Sequence, residues 1–329
     1  MTAGRPAHLD PEMAAVLDLL PVLELTDIRT ARINRAALAA QARARTPADP
    51  TVVRIDESVP AEPPVRVRRY RPAGADPVEP LPCLVWIHGG GHVMGELEQD
   101  DPLMEHVVAT IGCTAVSVDW RRAPEHPYPA ELDDAYAALR WAYDQADRLG
   151  VDRGRIAVGG ASSGGGTAAG LALAARDRGE VPLCYQLLIY PMLDDRTDGR
   201  ACAWLDGTNL WHRHKNRLAW RAYVGEGAAD PYAAPARAAD LSGLPPAFIG
   251  TGDLDLFAEE DTRYAARLIA AGVPTELHVY PGGVHGFDLF VPEGRLARQM
   301  ARDRDEALAT ALRFRNAPAQ GLQPASGQV

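Results

Sequence analysis

The sequence predicts an α/β protein with a mostly parallel central sheet, doubly wound, helices on both faces and a helical cap over the carboxyl ends of the strands. Three observations carry this. From residue 81 onward, short apolar runs alternate with segments of helical period, the order that βαβ units produce. The runs Leu84-Val85-Trp86-Ile87 and Ala115-Val116-Ser117-Val118 are nearly continuous, as strands buried on both faces must be. Two stretches, 1–48 and about 194–224, stand outside the alternation and can lie across it.

Composition narrows the class. The chain has 329 residues, long for one domain but normal for a large α/β unit. Acidic residues outnumber basic ones by 44 to 34, and no Lys/Arg run offers a nucleic-acid face, so nucleic acid is not expected as a partner. The four cysteines, Cys83, Cys113, Cys184 and Cys202, lack metal-ligand spacing and read as reduced thiols. No basic start followed by an apolar stretch opens the chain, and no run nears roughly 18 apolar residues. A cytoplasmic protein without stable membrane insertion is expected.

Along the chain, Asp10-Pro11-Glu12 resembles a capped helix start, with Met13, Val16, Leu17 and Leu20 on one face. A second helix is expected over 26–44, where Asp27 can cap. At 51–59 and 65–71 the period changes to two, which suggests an edge hairpin. Helices follow at 100–110 and, as one long element, at 131–149. Further strands are expected at 156–158, 185–190, 247–250 and 276–280, and helices at 167–176, 257–271 and 293–315. The stretch 194–207 is loop-like, and 208–223, with Leu210, Trp211, Leu218, Trp220 and Tyr223, reads as a cap helix. This divides the chain into cap helices (1–48), a catalytic domain (49–316) with a cap insertion near 194–224, and a disordered tail (317–329) rich in Ala, Gln, Gly, Pro and Ser.

The chemistry sits in turns that follow strands. Gly159-Gly160-Ala161-Ser162-Ser163-Gly164-Gly165 lies between the buried run Arg155-Ile156-Ala157-Val158 and a small-residue helix, so it is a strand-turn-helix and not a flexible linker. Within it Gly160-x-Ser162-x-Gly164 fits the nucleophile elbow, a turn too sharp for side chains two residues to either side of the serine. After Ile87 comes His88-Gly89-Gly90-Gly91, whose bare backbone N–H groups can approach an anionic oxygen. Neither GxxxxGK[ST] nor GxGxxG is present, so an oxyanion fits better than a phosphate. His285, one of nine histidines, follows the last strand on the turn Pro281-Gly282-Gly283. An acid from Gly252-Asp253-Leu254-Asp255 completes the chain order Ser, Asp, His, and pattern alone leaves Asp253 and Asp255 an even choice.

The HGGG run, the segment Asp119-Trp120-Arg121-Arg122-Ala123-Pro124-Glu125-His126-Pro127-Tyr128-Pro129, the elbow, Leu244-Pro245-Pro246, Asp255-Leu256-Phe257 and His285-Gly286-Phe287 occur in this order. Together they resemble the bacterial hormone-sensitive lipase family of α/β-hydrolases over about residues 50–315. The resemblance implies the α/β-hydrolase fold and a carboxylesterase that acts, without cofactor or metal, on short to medium acyl esters under a helical cap. It implies Ser162 as nucleophile and His285 as base. The family's acid precedes a Leu/Phe or Pro/Leu pair and stands nine residues before a tyrosine, here Tyr264, which selects Asp255. Backbone N–H groups of Gly90, Gly91 and Ser163 would hold the oxyanion, each contributing about 3 kcal/mol. His92, Leu210 and Trp211 are expected along the substrate pocket, while Asp119, Arg121, Pro124 and Glu125 brace the loops. Ala161, Ser163 and Arg122 depart from the Asp, Ala and Leu usual in the family. The alternative functions are a catalytically modified small-molecule binding protein or a hydrolase of amides or lactones. No triad member is missing, which argues against the first. The expected partner is a small-molecule ester, and the chain leaves a homodimer open.

Overall fold

The computed structural model describes residues 4–20, 23–76, 79–198 and 200–313, so the tail expected at 317–329 lies outside the described residues. Eight strands are found among them: β1 (Val52–Val59), β2 (Val65–Pro72), β3 (Leu81–Ile87), β4 (Thr114–Asp119), β5 (Val151–Ala161), β6 (Tyr185–Ile189), β7 (Ala247–Gly252) and β8 (Thr275–Tyr280). They form one sheet in the order β1-β2-β4-β3-β5-β6-β7-β8. The first hairpin is antiparallel and joins β4 antiparallel, whereas the remaining pairings are parallel.

Period-two alternation sends Leu84 and Trp86 of β3 to one face and Cys83, Val85 and Ile87 to the other, all fully buried. A strand covered on both sides has no polar position to spare, which is why its sequence reads as a continuous apolar run. The first face is covered by α3 (Asp101–Ile111) and by α10 (Arg295–Arg313), through Met104, Val107, Met300 and Leu308. The second is covered by α4 (Ala130–Asp144), α6 (Ser163–Arg178) and α8 (Ala258–Ala270), through Leu139, Leu171 and Leu268. Among the described residues no helix is long and apolar enough to cross a membrane.

Three helices differ from the sequence expectation, and β5 starts at Val151, five residues before the strand expected at 156–158. The long helix of 131–149 breaks at Gln145, whose backbone leaves the helical region (φ −94°, ψ 15°), and resumes as α5 (Ala146–Leu149) before the left-handed Gly150. The elbow helix α6 starts at Ser163 instead of 167, because its first turn is glycine and carries no apolar period to read. The helix expected over 208–223 is α7, Arg213–Val224. Its forerunner is held otherwise: Lys215 Nζ donates to the carbonyls of Asn209 and Leu210, both at 2.9 Å, and so takes up backbone acceptors that a helix would use. The preceding loop contains a short 3₁₀ segment, Arg200–Gly207.

The N-terminal helices α1 (Pro11–Val16) and α2 (Ile28–Arg45) are capped as read: Asp10 accepts from the N–H groups of Glu12 and Met13, and Asp27 from that of Thr30. They dock on the loops that follow the strands. Arg32 donates to the carbonyls of Val93 (2.6 Å) and Ala123 (2.7 Å) and pairs with Glu125, while Asn209 Nδ2 reaches the carbonyl of Leu20 at 2.8 Å. The N-terminal segment and the 194–224 insertion therefore meet each other. A last short helix, α9 (Phe287–Phe290), follows β8.

Candidate active site

β5 ends at Ala161 and α6 begins at Ser163, so Ser162 occupies the turn alone, at φ 57° and ψ −124°. Positive φ in a residue with a Cβ is strained by about 1–3 kcal/mol and persists only where neighbours fix it. Here Ser162 N–H donates to Ile189 O and Ser162 O accepts from Met192 N–H, each at 2.9 Å. The flanking glycines make the turn possible, since a Cβ on Gly164 would overlap the carbonyl oxygens of Ile87 and His88. The elbow thus leaves the Ser162 hydroxyl within reach of His285.

Ser162 Oγ lies 2.8 Å from His285 Nε2, and His285 Nδ1 lies 2.8 Å from Asp255 Oδ2. With Nδ1–H donating to the carboxylate, Nε2 is left to accept the serine proton. Asp255 is buried, and its other oxygen accepts from Phe257 N–H at 2.9 Å. The imidazole is held edge-on by Tyr190 (centroids 4.7 Å apart) and Phe257 (5.1 Å). Asp253 does other work. It accepts from Gly282 N–H (2.7 Å) and meets His8 (3.1 Å), tying the turn before His285 to the N-terminal segment.

The HGGG run follows β3. Gly90 (φ 153°) and Gly91 (φ 59°) are glycines by necessity, since a Cβ on Gly91 would strike the Trp211 ring. Ser163 is buried at the first position of α6, and its hydroxyl has no partner among the described residues. Beneath the run, His88 stacks on Trp120 and is fully buried, which pushes its imidazole down to about 4 from an ordinary 6.5. Between pH 6.5 and 4 the unfolded chain therefore binds a proton that the folded protein refuses, and the stability His88 contributes is lost as pH falls, roughly 3 kcal/mol in all. The stability gap between wild type and His88→Gln is expected to narrow by about that amount from pH 7 to pH 4 in denaturant melts. A gap that stays constant would mean His88 is not buried neutral.

Gly90, Gly91, Ser162, Trp211 and His285 line one cavity of about 130 Å³. Of the three expected pocket residues, Trp211 is in this wall, its indole N–H donating to Asn216 at 3.2 Å. His92 and Leu210 are not. His92, at φ 62°, is instead buried, bonded to the buried Glu131 at 2.7 Å and stacked on Tyr223 at 3.8 Å. Leu210 is buried in the core, where Lys215 holds its carbonyl. The cavity also contains residues that sequence reasoning missed: Trp86, Asp100, Tyr190, Asp288 and Arg35. Tyr190 and Asp288 had a signal, one directly after β6 and the other three residues beyond His285. Asp100 and Arg35 had none. The charged segment after β4 braces the loops, with Arg121 gripping Asp134 through Nε and Nη2 (2.9–3.0 Å) and Arg122 joining Asp119 to the carbonyl of Gly95.

The family described as alpha/beta hydrolase fold matches residues 84–289. Carboxylesterase NlhH of Mycobacterium tuberculosis is 40% identical over 313 residues, which cover 88% of this chain and 93% of that protein. Esterase LipI of the same species is 36% identical over 309 residues, covering 87% and 90%. Among solved structures, a bacterial heroin esterase superposes with a TM-score of 0.89 at 39% identity, covering 93% of this chain and 99% of that one. Fold, motif order and these similarities agree: the chain belongs to the α/β-hydrolase fold family, in its bacterial hormone-sensitive lipase branch of carboxylesterases.

Proposed function

We propose that this carboxylesterase cleaves short to medium acyl esters through an acyl-enzyme on Ser162. The observation that carries the reading is the unbroken relay Ser162 Oγ, His285 Nε2, His285 Nδ1, Asp255 Oδ2, with both contacts at 2.8 Å. Ser162 Oγ attacks the ester carbonyl carbon while His285 Nε2 takes its proton. The carbonyl oxygen becomes an oxyanion that accepts from the N–H groups of Gly90, Gly91 and Ser163. The carbon–oxygen bond to the alcohol then breaks, and the alcohol leaves with the proton from His285. Water, deprotonated by the same imidazole, attacks the acyl carbon and releases the carboxylic acid and Ser162. Asp255 keeps the imidazole in the required tautomer and stabilises its cation.

The cap is assigned to residues 1–48 with the insertion near 194–224, and the catalytic body to 49–316. Every group in the mechanism comes from the body and from one chain, so a monomer and a homodimer would work alike. A small-molecule ester as partner, no nucleic acid and a cytoplasmic location complete the proposal, supported by the net charge of −10 and by the buried thiols of Cys83, Cys113 and Cys184, which form no disulfide. The intact relay speaks against a binding-only protein. Amides and lactones would meet the same groups, and a screen of nitrophenyl esters beside an anilide and a lactone separates them. Esters are expected to exceed both, and an anilide or lactone hydrolysed faster would overturn the assignment.

Chain-length preference should follow from Trp211. A cavity of 130 Å³ is close to the roughly 150 Å³ of an engineered pocket that binds benzene, which supports the short end of the acyl range. Trp211→Ala removes a wall, and at roughly 1–3 kcal/mol per methylene the kcat/KM optimum is expected to move by a few carbons toward laurate. An unchanged profile from acetate to laurate would show that Trp211 does not set the limit.

A further inference from the structure

The cavity beside Ser162 carries charge that ester hydrolysis does not use. Trp86 Nε1 donates to Asp100 Oδ2 at 2.7 Å, and Tyr190 OH donates to Asp288 Oδ1 at 2.9 Å. Each carboxylate thus receives a neutral donor on one oxygen, while the direct ion pairs with Arg68 and Arg304 go to Asp101 and Asp305. Burial pushes the Asp100 carboxyl up to about 6, with Asp288 adding to the effect through charge repulsion, and burial also raises Asp288. Two guanidinium groups line the same cavity. Arg304 is shared with Asp305 at 2.8 Å, an acid that also meets His106, so Arg304 offsets Asp288 only in part, and Arg35, on α2, acts on Asp100 without a direct ion pair.

Aromatic faces accompany these carboxylates. Trp86, Tyr190 and Trp211 all line the cavity. Buried carboxylates short of counter-charge, set among π-systems, form an environment that attracts an organic cation and that a neutral alkyl group does not exploit. The volume, near that of a benzene-sized cavity, suits a compact head such as trimethylammonium and excludes a long chain beside it. We propose that this cavity holds an ammonium subsite formed by Asp100, Asp288, Trp86, Tyr190 and Trp211, and that the enzyme prefers small esters bearing a quaternary or protonated tertiary amine. The proposal rests on the esterase reading of Ser162 and deepens it to a substrate class.

The test compares kcat/KM for acetylcholine with that for 3,3-dimethylbutyl acetate, which has the same shape without the charge. The wild type is expected to favour the cation by about tenfold, a value between those of exposed and fully desolvated cation–π sites. Asp100→Asn removes an attracting charge and should lower the charged-to-neutral ratio several-fold, whatever happens to the neutral rate. Arg35→Gln removes a repelling charge and should raise it. The opposite signs matter, because general damage to the fold would not move one ratio down and the other up, and the half-buried Arg35 serves if Asp100→Asn does not fold. A wild-type ratio at or below one, or a ratio that neither variant shifts, overturns the subsite while turnover of the neutral ester leaves the esterase reading standing. No turnover of either ester or of nitrophenyl acetate overturns both.

Discussion

Ser162→Ala is expected to lower kcat by about 10⁶, the loss seen when the nucleophile of a serine protease is removed. The size follows from position. Ser162 is the residue at φ 57° between β5 and α6, and its Oγ is 2.8 Å from the imidazole. Ser163 provides the control, because it is the adjacent hydroxyl but sits buried at the start of the helix with its side chain unpartnered. Only its backbone N–H enters the proposed mechanism, so Ser163→Ala should keep most activity and lose little stability. Assay of both purified variants on nitrophenyl acetate decides the point. Full activity in Ser162→Ala, or collapse in Ser163→Ala alone, would move the nucleophile.

Asp255→Asn is expected to cost about 10⁴ in kcat, since an amide in that place stabilises the wrong imidazole tautomer and cannot offset the imidazolium charge. Asp253→Asn should stay within about tenfold, the range of a partly exposed ion pair. The two acids are separated by one residue on one loop, and their partners are what distinguish them. Asp255 meets His285 Nδ1 at 2.8 Å, whereas Asp253 is engaged by Gly282 N–H and His8. Asp253→Asn keeps an acceptor for Gly282, so its effect should appear as a lower Tm more than as a lower kcat. Reversal of the two effects on kcat would show that the loop is in another register in solution.

Much of this was legible because burial writes itself into local pattern. β3, β4 and β7 are covered on both faces and show as continuous apolar runs, and the elbow and HGGG run are signalled by glycines that no other residue could replace. The Leu254-Asp255-Leu256 register was legible only through resemblance, because two acids on one turn look alike without their partners. What stayed hidden depends on contacts far apart in the chain. Leu210 looked like part of a helix until Lys215, five residues on, took its carbonyl, and His92 looked like a pocket residue until Glu131 captured its ring. The acidic side of the cavity was hidden for the same reason. Asp100 precedes a helix and Asp288 lies within one, where acids are ordinary, and only the fold brings them to one cavity with Trp86 and Tyr190.

The central claim is that Ser162, and no other hydroxyl, is activated by His285. Its most direct measurement is reaction of the native enzyme with an organophosphate, followed by peptide mass spectrometry of the adduct beside residual activity. The expected result is one phosphoryl group per chain, located on Ser162, with activity lost in proportion to labelling and no labelling in His285→Ala. A label on Ser163, or a fully labelled enzyme that still hydrolyses nitrophenyl acetate, would contradict the account.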